Sequence, residues 1–168
     1  MTGNWDAHYW PDLERFAGTG AVELDGEVHL LEVRGVTVAV AGVGWGGDVS
    51  GAALEALPRD AVTLFLCHSP DQAVRADRLL ASMDDPPRVD LVLAGHTHGG
   101  QVALPLVGPI VTLTRAGPGL ARGMHRLERT RLYTSRGIGM EGGPAPRVRF
   151  LARPEIAVFD FVPPGEGE

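Results

Sequence analysis

The chain has no lysine, only one cysteine and only one asparagine. All 15 basic residues are therefore arginines, and against 21 acidic residues they leave a net charge of −6. This acidic balance argues against a general nucleic-acid-binding surface and against a surface for anionic membranes. With Cys67 alone, no internal disulfide can form, so the fold does not depend on an oxidising compartment. We expect Cys67 to be a small buried apolar residue rather than a nucleophile.

Long apolar runs are also missing. None approaches the roughly 18 residues of a membrane span, and the N-terminal MTGNWDAH lacks the pattern of a signal peptide. The sequence as written therefore predicts a soluble, cytoplasmic protein. Its 168 residues, 44% of them hydrophobic, suffice for one domain with a real core. We assign that domain to residues 1–162 and expect residues 163–168, PPGEGE, to be a disordered tail.

Short apolar segments between turn signals predict a mixed α/β fold. In the first half, strands are expected at residues 21–24, 28–33, 36–41, 61–67 and 89–94. A short helix is expected over residues 50–57, before Pro58. A second helix should begin at Ser69, which forms a capping box with Gln72, and should present an apolar stripe of Ala76, Leu79, Leu80 and Met83. The second half is β-rich, with strands expected near residues 102–106, 110–113, 131–135, 148–152 and 156–161.

The stretch GHTHGGQV, residues 95–102, carries the strongest functional signal. It places His96 and His98 on a glycine-flanked turn directly after an apolar strand. If the segment is extended, both imidazoles face one cleft, roughly 6 to 7 Å apart at the backbone. That spacing suits one ligand for each of two metals about 3.5 to 4 Å apart. The alternative is a pair of exposed polar residues in a loop, but the glycines permit close approach to a ligand.

A third histidine, His68, follows the preceding buried strand. In a layered α/β fold, the ends of these two strands meet at the carboxyl edge of the sheet, where ligands gather. His68 alone would be read as a capping or core-edge residue, but beside His96 it indicates one shared site. Asn4 lies in GNWD, which could simply be a tight turn. Read with the histidines, its amide oxygen is a neutral ligand for a metal.

These motifs occur in a characteristic order: GNWD, CHSPD, GHTHGGQV, LYTSRGIGM and RFLARPEI. In this order the chain resembles the calcineurin-like metallophosphoesterases, and most closely their bacterial branch with GHTHGGQ, over nearly its whole length. The resemblance implies an α-β-β-α fold, a β-sandwich flanked by helices. It implies that Asn4, His68 and His96 bind one metal and that His98 binds the other. It also implies Mn, Fe or Zn as cofactors and a phosphoester substrate, hydrolysed by a metal-activated hydroxide.

The chain departs from this family in its first motifs. The family has an upstream D-x-H and a GD-x-x-D, which supply the remaining ligands and the bridging aspartate, and neither precedes Asn4. We therefore expect a partial fold without the first strands, an N-terminally incomplete domain with room for one metal, and weak or no activity. Trp5 stands where the family commonly has a histidine proton donor. His8, nearby, is the one candidate to replace it.

Two explanations remain open for the missing half. Residue 1 is not the natural start, or the gene is truncated; an in-frame D-x-H and GD-x-x-D in the upstream DNA would support this. Alternatively, the short chain is a non-catalytic module that binds a metal or a partner. In either case, a sheet edge left open by absent strands would favour self-association.

A basic segment provides the candidate contact for the substrate anion. Five arginines fall between residues 122 and 136, and most of them are expected on solvated loops. Arg136, in SRG, is the best candidate, because a guanidinium fork can bind two phosphate oxygens at once.

Overall fold

A computed structural model describes residues 1–142 and 146–162. The expected tail at residues 163–168 lies outside the described residues. Among those that are described, no helix is both long and apolar enough to cross a bilayer.

A six-stranded, mixed sheet forms the centre of the molecule. Its strands are β1 (Val28–Val33), β2 (Val36–Val43), β3 (Val62–Cys67), β4 (Leu91–Ala94), β7 (Gly123–Arg126) and β8 (Arg131–Thr134). They lie in the order β1-β2-β3-β4-β8-β7. The four inner strands, β2, β3, β4 and β8, are parallel to one another, whereas β1 and β7 pair antiparallel at the two edges. This is the mixed α/β fold that the sequence predicted.

Three helices accompany the sheet: α1 (Asn4–Tyr9), α2 (Gly51–Glu55) and α3 (Pro70–Ser82). Helix α3 begins where the capping box predicted, since the side chain of Gln72 accepts a hydrogen bond from the Ser69 main-chain N–H at 3.2 Å. Ala76 and Leu80 of its apolar stripe are buried. They belong to a core that also includes Phe65 and Leu132 of the sheet.

Strand β3 shows how unevenly the two faces of the sheet are covered. Thr63, Phe65 and Cys67 are buried, whereas the alternate residues on the other face are only half-buried. The sequence predicted a buried strand here, and the structure shows full burial on one of its two faces. The second layer is small: β5 (Ala103–Leu104) and β6 (Gly108–Pro109) form a two-stranded sheet. The expected β-sandwich is therefore present only in part.

Several expected elements differ from the structure. Residues 21–24, 110–113 and 156–161 are not strands, and residues 148–152 contribute only an isolated bridge between Phe150 and Val102. Their alternating apolar pattern finds no neighbouring strand among the described residues, and a strand needs a partner for its backbone hydrogen bonds. Conversely, β7 was missed because GMHR has few strand-forming residues. It forms through its antiparallel pairing with β8.

Candidate functional site

Two predicted ligands meet at the carboxyl edge of the sheet. Cys67 at the end of β3 is in register with Ala94 at the end of β4, and Gly95 donates its N–H to the carbonyl of His68 at 3.1 Å. His68 and His96 follow immediately, with Nε2 of His68 and Nδ1 of His96 only 2.9 Å apart. Parallel pairing in this register brings the two side chains together, as the strand-end argument predicted.

Burial favours the neutral form of two of the predicted ligands, His68 and His98. Burial, together with the smaller effect of the neighbouring His96, lowers the pKa of His68 to about 4. Burial also lowers the pKa of His98, against the opposing effect of the Gly139 carbonyl. A neutral imidazole retains the lone pair with which it can bind a metal or accept a proton.

Trp45 covers the histidine pair and was not among the predicted site residues. Its ring lies edge-on to His68, with centroids 5.4 Å apart, and is tilted over His96 at 5.6 Å. The side chain of Gln72 in α3 donates to the carbonyl of Gly44 at 2.9 Å, which fixes the loop that carries the indole. The motif gave no sign of this contact, because Trp45 lies in a glycine-rich loop far from either histidine in sequence.

The histidine turn is not extended, contrary to the sequence-based expectation. His96 and His98 have φ values of 70° and 51°, and Gln101 has 46°. Residues 98–100 form a short 3₁₀ turn. Such left-handed conformations are uncommon for residues other than glycine and are concentrated at functional sites. The turn therefore directs His96 and His98 differently, rather than to one side of a strand.

Gly99 and Gly100 leave room for protein atoms and not for a ligand. A Cβ on Gly99 would lie 2.5 Å from Cγ of Arg136, and one on Gly100 would lie 2.3 Å from Cβ of Pro109. Both also have positive φ values. In the direction of a Cβ, these glycines pack the turn onto neighbouring segments; the close approach of a ligand to their backbone stays a prediction.

Asn4 begins helix α1 and lies near His98. The loop expected at GNWD is thus a short helix, capped by the carboxylate of Asp6, which accepts from the Gly3 N–H at 2.8 Å. Asn4 and His98 both line a cavity of about 330 Å³. The Gly3 backbone packs against the ring of His68, since a Cβ added there would lie 3.4 Å from its Cε1. The four predicted ligands thus occupy neighbouring positions at one edge of the sheet.

Their arrangement divides into two pairs. His68 contacts His96, whereas His98 shares the cavity wall with Asn4 and lies 3.4 Å, through Nδ1, from the Gly139 carbonyl. Within residues 1–142 and 146–162, no three His, Cys, Asp or Glu side chains are grouped so that they could hold a metal ion.

Gln101, the last residue of GHTHGGQ, holds the segment around Glu141 that lines the cavity opposite α1. Its buried amide donates to the carbonyls of Glu141 at 2.9 Å and Pro146 at 2.6 Å. Its Oε1 accepts from the Glu141 N–H at 2.7 Å. The motif itself was the signal for this residue, although the sequence did not indicate what the amide binds.

Arg136, the predicted anion contact, is held by Glu155. The guanidinium donates through Nε at 2.7 Å and also through Nη2, and the Arg136 main-chain N–H donates to the other carboxylate oxygen at 2.8 Å. The guanidinium of Arg136 is therefore bonded to Glu155 and is not free to bind a substrate anion. The two partners lie in the motifs SRG and RPEI, which this contact brings together.

Trp5 and His8, the two residues considered as proton donors, differ in their surroundings. The indole N–H of Trp5 donates to Oε1 of Glu141 at 2.7 Å. His8 is on the exposed side of α1 beside Tyr9, with ring centroids 5.8 Å apart. Cys67 is fully buried, as expected, and burial raises its pKa to about 12.

Part of the chain is similar to known proteins. No family model and no solved structure matches the chain significantly. Curated bacterial proteins do match. The uncharacterized metallophosphoesterase YkuE of Bacillus subtilis is 43% identical over 97 residues, which are 58% of this chain and 30% of that protein. The phosphodiesterase YaeI of Escherichia coli is 36% identical over 106 residues, 63% of this chain and 33% of that protein.

A further relative has a named substrate. The UDP-2,3-diacylglucosamine pyrophosphatase LpxG of Chlamydia muridarum is 33% identical over 103 residues, 57% of this chain and 28% of that protein. The alignments span about a third or less of the length of each of these relatives. Over the part that they match, the chain is similar to curated proteins named as metallophosphoesterases or as enzymes that cleave phosphoesters and pyrophosphates.

Proposed function

We propose that the protein is a metal-dependent phosphoester hydrolase, a phosphatase or phosphodiesterase, whose site lies at the carboxyl edge of the central sheet. The observation that carries the proposal is the contact between His68 and His96 at the ends of two paired strands. The names of the relatives add support for the reaction class. We further propose that the chain as given has weak activity or none.

The donor atoms suit a divalent transition ion. Nε2 of His68 and Nδ1 of His96, 2.9 Å apart, would be the two nitrogens that hold such an ion. Imidazole with a neutral amide oxygen is compatible with Mn, Fe or Zn. We propose His68, His96 and Asn4 as ligands of one ion, with His98 as the ligand that a second ion would use.

A bound ion supplies Lewis acidity and a nucleophile at neutral pH. The contribution of the chain is to present its imidazoles unprotonated, which burial of His68 and His98 favours. Trp45, packed on both rings, shields the pair from water on one side. Arg136 has the weakest support as a substrate contact, because Glu155 occupies its guanidinium.

Proton delivery to the leaving group limits the substrates. The indole of Trp5 has no acidic proton to give and is already bonded to Glu141. We therefore propose that esters with good leaving groups, which need no general acid, react best.

The alternative function is a non-catalytic module that binds one metal or a partner. Two observations favour it. The ligands are separated into two pairs, and among the described residues no carboxylate joins them to make a group of three potential ligands. A family site with two ions needs such negative charge to compensate them.

Metal binding and hydrolysis test the proposal together. Isothermal titration with Zn²⁺ and Mn²⁺ should show a site that His96→Ala weakens at least tenfold. The exposed His29, on edge strand β1, provides the matched control His29→Ala, which should leave the affinity unchanged. Turnover of bis-p-nitrophenyl phosphate should be weak and should be lost in His96→Ala.

The two functions give different outcomes. Metal binding without hydrolysis by this chain, and without hydrolysis by a longer chain carrying any upstream D-x-H and GD-x-x-D, would favour the module. Equal affinity in wild type and His96→Ala would contradict both.

A further inference from the structure

The cavity beside His98 has the size and lining of a small substrate site. It lies between α1 and residues 139–142 and has a volume of about 330 Å³, at the lower end of the range for ligand pockets. The side chains that matter are Asn4, Trp5, His98, Met140, Glu141 and Arg147. Glu141 and Arg147 carry opposite charges. The proposed metal ligands Asn4 and His98 line the same cavity.

The carboxylate of Glu141 is fixed in this cavity. Its Oε1 accepts from the indole N–H of Trp5 at 2.7 Å. Its main-chain N–H and carbonyl are both bonded to the amide of Gln101. The main chain of Glu141 is thus held by Gln101 and its carboxylate by Trp5, so the carboxylate cannot turn away from an occupant without breaking the bond to Trp5.

The guanidinium of Arg147 lies across the main chain of Gly142. A Cβ on Gly142 would come within 2.7 Å of its Nε and 3.3 Å of its Nη2. In the part of the chain that the structure describes, Arg147 and Glu141 do not form an ion pair. Each charge can therefore act on whatever occupies the cavity.

Other arginines near the turn are occupied. Arg136 is held by Glu155. Arg149 donates to the carbonyls of His98 at 3.2 Å, Ala152 at 3.0 Å and Arg136 at 2.7 Å. Among these three arginines, Arg147 is the one that lines the cavity.

We propose that Arg147 and Glu141 select the substrate by its charge, so that the cavity takes monoanionic phosphodiesters in preference to dianionic phosphomonoesters. Arg147 donates to the non-bridging phosphoryl oxygens, as guanidinium groups do. Glu141 repels the second negative charge that a monoester carries and a diester lacks, and this repulsion lowers the affinity for monoesters. This inference rests on the proposed function, because the cavity is lined by the proposed metal ligands Asn4 and His98.

Binding of two simple esters to the full chain tests the proposal without requiring turnover. Diphenyl phosphate is a monoanion, and phenyl phosphate is a dianion at pH 8, because its second pKa is about 6. Dissociation constants are measured by NMR titration, with and without Zn²⁺. Wild type should bind diphenyl phosphate more tightly.

Two charge variants separate the roles. Glu141→Gln, which can still accept from Trp5, should raise the affinity for phenyl phosphate about tenfold and change that for diphenyl phosphate much less. Arg147→Gln should weaken both esters about tenfold. The exposed Glu128 and Arg126 provide the matched controls Glu128→Gln and Arg126→Gln, which should change neither affinity.

Gly142→Ala moves the guanidinium without altering any charge. The new Cβ would displace the flexible end of Arg147, so both esters should bind more weakly while the melting temperature stays close to that of wild type. This variant distinguishes a positioned arginine from a general positive potential.

Three results would overturn the proposal: no binding of either ester to wild type at millimolar concentration, equal effects of Glu141→Gln on the two esters, or no effect of Arg147→Gln. The proposed function fails separately, through loss of the zinc site rather than of charge selection. If Zn²⁺ still binds and His96→Ala still weakens that binding at least tenfold, one of these three results removes the inference alone.

Discussion

Glu155 holds Arg136 from two sides: one carboxylate oxygen accepts the Arg136 main-chain N–H at 2.8 Å, and the other accepts its Nε–H at 2.7 Å. The stem of Arg136 in turn fills the space above Gly99 in the histidine turn. This ion pair therefore links the C-terminal segment of the described chain to the candidate site. Its hydrogen bonds are charge-assisted and only partly exposed, which makes them stronger than a surface pair.

The pair should make stability depend on pH in the acid range. Burial raises the pKa of Glu155, but its hydrogen bonds to Arg136 and Tyr133 outweigh burial, so the pKa lies below its ordinary 4.5. A lowered pKa in the folded state stabilises the protein above the unfolded value. That stability is lost as the pH falls through the folded pKa. Urea denaturation of wild type should therefore show a decline below about pH 4.5.

Glu155→Gln should remove that part of the acid decline and lower stability at pH 7. The exposed Glu14 allows Glu14→Gln as the matched control, which should leave the pH curve unchanged. Identical pH curves for wild type and Glu155→Gln would contradict the role given to this pair.

Much of the fold followed from the sequence because the relevant signals are local. Ser69 and Gln72 define a helix start through contacts three residues apart. The apolar runs of β3 and β4 predicted their burial, and their parallel pairing placed His68 beside His96. The recognition of the superfamily also followed, since the motifs keep their order whatever the local geometry.

The parts that did not follow depend on long-range contacts. Nothing in GNWD indicates that Trp5 bonds to Glu141, which is 136 positions away. The positive φ values of His96 and His98 could not be predicted either, because they are uncommon outside glycine, even for histidine, and depend on how the turn packs. Strand patterns near residues 156–161 predicted strands that have no neighbour in the described sheet, and pairing rather than propensity decides such segments.

Gln101 should be required for the integrity of the cavity wall. Gln101→Ala would leave the N–H and carbonyl of Glu141 and the carbonyl of Pro146 without their partner. These groups are only partly buried, so we expect a loss near the lower end of the about 1–3 kcal/mol that an unsatisfied polar group costs, or roughly 2–4 °C of melting temperature per kcal/mol. Hydrogen exchange of the Glu141 amide should accelerate at the same time. An unchanged melting temperature with a protected Glu141 amide would show that the contact is dispensable.

Asp77 should stabilise the β7–β8 turn. From the buried face of α3, its Oδ1 accepts from Arg129 and Thr130 main-chain N–H groups at 3.0 and 2.9 Å, and its Oδ2 accepts from the Glu128 N–H at 3.1 Å. Asp77→Asn replaces one acceptor oxygen with a donor and should cost about 1–3 kcal/mol. Thermal melting measures this, with Asp84→Asn on an exposed position as the control. Equal melting temperatures of Asp77→Asn and Asp84→Asn would contradict the stabilising role of the Asp77 hydrogen bonds.

Edge strand β1 should cause self-association. Its outer backbone edge has no partner among the described strands, and Leu30 and Val33 are 57% and 49% exposed. An exposed apolar edge strand readily pairs with another chain. Sedimentation velocity should therefore show oligomers that increase with concentration, and Leu30→Lys should shift the equilibrium toward monomer by adding charge to the edge. Leu106→Lys, at a fully exposed residue away from this edge, is the control and should change the monomer–oligomer equilibrium little. Two results would exclude association through β1: a wild-type protein that stays monomeric at all concentrations, or equal dissociation of the oligomers by both substitutions.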